Sequence, residues 1–109
     1  MTSDGSPYTR FKRALDAGNL LQARAAATEL PNVNLDDALR IVWLMREDEA
    51  LYERAAMRWL GRFCLECPGA TLEDVERAAK ALRSVWWQPQ EATRVLADIC
   101  AGNGISRVY

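Results

Sequence analysis

Helix starts recur along this chain at short intervals, and between them apolar residues return every three or four positions. Ser6-Pro7 places a hydroxyl N-cap ahead of a proline at the first helical position. Tyr8, Phe11 and Leu15 follow at helical spacing, and Gly18 ends this helix as a left-handed cap. Asn19 opens a second helix whose inward residues are Leu20, Ala23, Ala27 and Leu30, and Pro31 stops it. Two of those four are alanine, so a neighbouring helix can come close. Asn34 opens a third helix, about 35–47, with Asp37 three residues on, a capping box with aspartate in place of the usual glutamate.

The third helix is apolar on most sides, through Leu35, Ala38, Leu39, Ile41, Val42, Trp43, Leu44 and Met45. Such a helix is either sandwiched between neighbours or offers a face to a partner. The fourth, about 48–67, gathers Tyr52, Ala55, Ala56, Trp59, Leu60, Phe63 and Cys67 on one broad arc and reads as the central helix. Pro68-Gly69 ends it. Thr71 and Asp74 cap a fifth helix with the stripe Leu72, Val75, Ala79, Leu82 and Trp86. Gln88-Pro89 starts a sixth, which carries Ala92, Val95, Leu96 and Ile99, and Gly102 closes it. Ile105, Val108 and Tyr109 form a short apolar tail. No segment alternates long enough to be a strand.

The chain therefore reads as all-α, five or six antiparallel helices arranged as stacked helical hairpins, with a closed six-helix bundle as the alternative. Its 109 residues, half of them apolar, suffice for one core. The expected organisation is a disordered end at 1–6, a single helical domain at 7–102 and a short tail at 103–109. The pattern Pro31 to Arg40 returns 37 residues later as Pro68 to Arg77 with four of ten positions identical, an offset within the range of helix–turn–helix repeats. Similar helix caps alone would give part of that likeness.

Gly18-Asn19-Leu20, followed by Ala23, Ala27 and Leu30-Pro31, resembles the second half of a tetratricopeptide-type helical hairpin over about fifteen residues. The spacing to the proline is about one turn short, and the tryptophan and tyrosine of the first helix are missing. The stretch Arg54 to Cys64 makes the chain look like small Ala/Leu/Arg-rich helical proteins of actinobacterial type. Both resemblances imply a helical fold and neither implies an activity.

Bulk composition excludes several functions. The formal net charge is −1, which gives no global attraction to nucleic acid or to an anionic membrane. There is no histidine, so the commonest general base and the commonest metal ligand are both missing. The longest apolar run is the five residues Ile41 to Met45, where a membrane span needs roughly 20. Three cysteines, an odd number, argue against a secreted disulfide scaffold. With no signal peptide visible at the start, a cytoplasmic protein with reduced thiols is expected.

No constellation of catalytic type stands out. Cys64 and Cys67 form a lone C-x-x-C in the last turn of a helix, the wrong end for the dipole to activate a thiol. A structural zinc site wants four ligands, and only Cys100 remains. Glu53, near the apolar arc, is a candidate acid or simply a rim glutamate. The four serines have no base nearby in sequence. No phosphate loop or nucleophile elbow is present. The chain reads as non-enzymatic, with no cofactor and no metal.

Two surfaces remain as candidates for a partner. Arg54, Arg58 and Arg62 recur every four residues on the fourth helix; this ridge is a solvated face or a comb of guanidinium groups for an acidic partner. Among the four tryptophans, Trp59 and Trp86 fall on core stripes. Trp43, beside Leu39 on the third helix, and Trp87 are candidate interface anchors. The expected function is a protein–protein interaction module, adaptor or regulatory in kind. Its partner-binding residues would be Trp43, Leu39, Arg54, Arg58, Arg62 and Trp87. A homodimer through the surplus apolar face of the third helix is possible. The alternative is a nucleic-acid-associated regulator using the arginine ridge.

Overall fold

The caps and breaks named above produce six helices, seen in a computed structural model that describes residues 6–105. They are α1 (Pro7–Asp16), α2 (Leu20–Ala27), α3 (Leu35–Leu44), α4 (Glu49–Glu66), α5 (Leu72–Arg83) and α6 (Pro89–Gly102), with no strand among the described residues. Met1 to Gly5 and the tail residues Val108 and Tyr109 lie outside the described residues. Side-chain caps form at Ser6, Asn19, Asp48 and Thr71, each accepting a hydrogen bond from a backbone N–H three residues on. Gly18 takes a φ of 70° after α1, where a side chain would be strained.

α1 packs on α2, α3 on α4 and α5 on α6, while α2–α3 and α4–α5 contacts join the pairs in series. The molecule is accordingly long, 46 × 29 × 21 Å. This is the stacked-hairpin arrangement, in which short connections force consecutive helices to run antiparallel. The segments beginning at Pro31 and Pro68 lead into α3 and α5, the first helices of successive hairpins.

Two cores result. The larger spans α3 to α6 and holds Leu39, Trp59, Phe63, Val85 and Leu96. Trp59 and Phe63 stack at 5.6 Å, and the Trp59 indole N–H donates to the Leu35 carbonyl at 2.8 Å. Each such large side chain contributes about 1.5–3 kcal/mol by leaving water. The smaller core joins Phe11, Ala14 and Leu15 of α1 to Ala23 and Ala26 of α2, with Ile41 and Leu44 of α3 packed against it. α3 therefore has a core on each side, which accounts for its broad apolar surface.

Several local expectations change. α3 ends at Leu44, not near residue 47, because a turn at 45–47 delivers the chain to the Asp48 cap. Asn34 makes no side-chain cap bond, so the box with Asp37 does not form. α5 buries Ala78, Ala81 and Leu82, a face that overlaps the expected stripe at Leu82, with Val75 packed on its edge; Leu72 is exposed, and Trp86 lies in the turn beyond the helix, which ends at Arg83. The alanine face wins because it lets α6 approach closely and seat Ala92, Leu96 and Ile99. At the end of α6 the left-handed glycine is Gly104, with φ 76°, while Gly102 remains helical.

Candidate interaction surface

The α4–α5 junction is loosely covered, and it leaves an open apolar groove of about 200 Å³. Tyr52, Ala56 and Leu60 of α4 form one wall, and Ala79, Leu82 and Trp86 form the other. The floor is fixed by hydrogen bonds. The Tyr52 hydroxyl donates to the Leu82 carbonyl at 2.7 Å, across the two helices. Burial pushes the Tyr52 phenol up to about 12, against the opposing charge of Arg46, so this donor stays protonated at neutral pH. Trp86 meets the Tyr52 ring edge-on at 5.1 Å and donates its indole N–H to the Arg46 carbonyl at 2.7 Å. Trp86 is thus held in place while 44% exposed.

The rim combines apolar and charged groups. Met57 lines it at 69% exposed; Trp87, on the turn after α5, is 66% exposed but is not among the lining residues. Glu53 and Arg83 complete the lining with one charge of each sign. Neither forms an ion pair with a described residue.

The residues singled out from the sequence do not form one surface. Leu39 is fully buried in the larger core and touches no solvent. Trp43 is partly buried against that core, with the Arg46 guanidinium 5.9 Å from its ring centre. The α3 face proposed for a homodimer is therefore covered within the chain, which removes the reason for a second copy there. Arg62 is drawn out of the ridge: its guanidinium donates to the Val33 carbonyl at 2.7 Å and to Glu66 at 2.7 Å. Arg54 and Arg58 remain exposed, with no ion pair to a described residue. Trp86, expected in the core, replaces Trp43 as the surface tryptophan beside Trp87. α5 ends at Arg83, so Trp86 falls in the turn beyond it, off the helical stripe that placed it in the core.

The cysteines are free; Cys64 is exposed, and Cys67 and Cys100 are buried. Burial first, and then the neighbouring charges of Glu66 and Cys64, hold the Cys67 thiol above its ordinary pKa. Burial likewise pushes Cys100 up to about 11. These are core thiols, opposite in character to activated ones. No three His, Cys, Asp or Glu side chains among the described residues are grouped to hold a metal ion.

One buried charge had no sequence signal. Asp37 is 2% exposed, and its carboxylate accepts from the Lys12 ammonium at 3.0 Å and from the Tyr8 hydroxyl at 3.4 Å, both on α1. Burial works against the Lys12 charge, but the hydrogen bond and the charge of Asp37 outweigh it and hold Lys12 above the usual lysine value. Arg40 adds a second tie from α3 to α1, donating to Asp16 at 3.0 Å. The partners are 25 residues apart, too far for a local pattern to reveal.

Compared with known protein families, curated proteins and solved structures, the chain matches none. No helix of the described residues is long and apolar enough to cross a membrane.

Proposed function

We propose that this chain is a non-enzymatic interaction module, adaptor or regulatory in kind, that docks a partner protein on its α4–α5 face. The observation that carries this reading is the groove with large apolar side chains left in water: Met57 and Trp86 line it while exposed, although the chain has a well-filled core elsewhere. Exposed aromatic and methionine side chains around a concave apolar floor are the usual anchors of protein interfaces. The pinned Tyr52 and Trp86 rings favour binding further, since little side-chain freedom remains to be lost.

A second reading, a nucleic-acid-associated regulator, draws on exposed Arg54 and Arg58. With Arg62 engaged by Val33 and Glu66, it has two guanidinium groups to work with in place of three.

Purification of the tagged chain from its native lysate, with and without nuclease, separates the two. The expected result is a stoichiometric protein companion that survives nuclease and is lost with Met57→Glu. Met57 is exposed, so this change leaves the fold intact. Companions that vanish on nuclease treatment, or that persist through Met57→Glu, overturn the proposed docking face.

A further inference from the structure

The groove between α4 and α5 holds two charges that the fold leaves unanswered. Glu53 follows Tyr52 on α4, and Arg83 follows Leu82 on α5. Tyr52 and Leu82 are joined across the helices by their hydrogen bond, so the two charges stand close to one level on facing walls. Both are exposed, and neither forms an ion pair with the other or with any described residue. Between them the lining is apolar, and Ala56 and Ala79 are short enough to leave a gap. From Tyr52 to Leu60 the α4 wall runs about 12 Å at 1.5 Å per residue, or roughly two turns of helix. A cavity of about 150 Å³ takes a benzene molecule, so the groove, at about 200 Å³, takes one or two apolar side chains.

These features select what would fit. Both walls are helices, whose backbone groups bond within the helix. An extended peptide laid there finds no ladder and buries its own N–H and C=O groups unpaired. A helix satisfies its own backbone and presents only side chains. The two sequence neighbours of an inward helical residue point about 100° to either side of it. An apolar residue directed at the floor therefore carries one neighbour toward each wall. We propose that the occupant is an amphipathic helix of a partner protein, in which an apolar residue stands between a base and an acid. The base meets Glu53 and the acid meets Arg83. A second apolar residue three or four positions along the same face reaches Met57 and Leu60. Walls of opposite sign discriminate against a segment flanked by two acids or by two bases, because one wall then meets its own charge. This inference rests on reading the α4–α5 face as a docking surface and names the chemistry of its occupant.

Fluorescence anisotropy of the full chain with three labelled synthetic peptides tests it. Each peptide is an alanine-based helix of about 16 residues, long enough to be helical in water. All three carry two leucines four positions apart. The leucines are flanked by one glutamate and one lysine, by two glutamates, or by two lysines. The wild type is expected to bind the mixed peptide about threefold or more tighter than either of the others. Glu53→Lys moves the preference to the two-glutamate peptide, and Arg83→Glu moves it to the two-lysine peptide. Met57→Glu weakens the mixed peptide. These sites are exposed, and unchanged helical circular dichroism verifies that each variant folds. Equal binding of the three peptides that is still lost with Met57→Glu overturns the charged flanks and leaves the docking face. No binding of any peptide at millimolar concentration, with a Met57-dependent companion present in the lysate experiment, overturns the helix and leaves the docking face; no binding and no companion overturns both. A wild type that sediments as a Met57-dependent dimer overturns the partner helix by placing a second copy on this face.

Discussion

Residues 31–40 and 68–77 share a pattern of proline, cap, leucine and acid, yet they meet opposite surroundings. Leu35 is 6% exposed and Leu72 is 83% exposed. Asp37 is buried and paired with Lys12, while Asp74 turns back to accept from the Thr71 N–H at 3.2 Å, and Thr71 in turn accepts from the Asp74 N–H at 3.1 Å. The cause is what covers each helix start. α1 lies against the start of α3 and offers an ammonium and a hydroxyl to the acid. Among the described residues no other helix offers a cation to the start of α5; Asn103, at the end of α6, adds one amide N–H at 3.3 Å. The Thr71 N–H first, and Asn103 second, hold the Asp74 carboxyl below its ordinary pKa. An acid at the third position of a helix has two uses, the cap behind it and a cation above it, and tertiary contact selects between them.

This contrast is open to direct attack. The largest difference is expected at the leucines. Leu35→Ala empties a core position and costs about 2–5 kcal/mol, whereas Leu72→Ala stays within about 0.5 kcal/mol. Urea unfolding reads both; equal losses would show that burial does not distinguish the two segments. Next come the acids. Asp37→Ala removes two hydrogen bonds, one of them charged, and is expected to cost about 1–3 kcal/mol. Asp74→Ala, which removes one arm of an exposed capping box, falls toward the lower end of the capping range. The smallest contrast is at the caps, where Thr71→Ala loses about 1 kcal/mol and Asn34→Ala only a few tenths at most, since Asn34 makes no cap bond. A clear loss at Asn34 would mean that the box with Asp37 forms after all.

The helical class and most helix starts were legible in the sequence because they depend on neighbours three or four residues apart. Ser6, Asn19 and Thr71 act through backbone N–H groups that the sequence itself places within reach. What depends on distant residues was not legible. α6 covers the alanine face of α5, and α5 stops at Arg83, which leaves Trp86 on the turn at the rim of the groove and not in the expected core. Arg62 left the arginine ridge for the Val33 carbonyl, 29 positions earlier. Leu39 and Trp43 were sound as apolar positions, but the sequence does not state that α3 has a core on both sides. The groove itself was invisible for the same reason: it is a gap between helices, and no residue pattern records a gap.

The joining of hairpins in series has a consequence for how the molecule opens. In a globule with one shared core, loosening any element weakens all the others. Here the first hairpin has its own small core, and it meets the rest mainly at α3 through Ile41, Leu44, Arg40 and Asp37. It can detach as a unit while α3 to α6 keep their packing, so backbone amides in α1 and α2 belong to the fast-exchanging end of the protection scale and those of α4 to the slow end. The Lys12–Asp37 contact sits at that seam, where one buried carboxylate couples the opening of an end segment to the integrity of the middle.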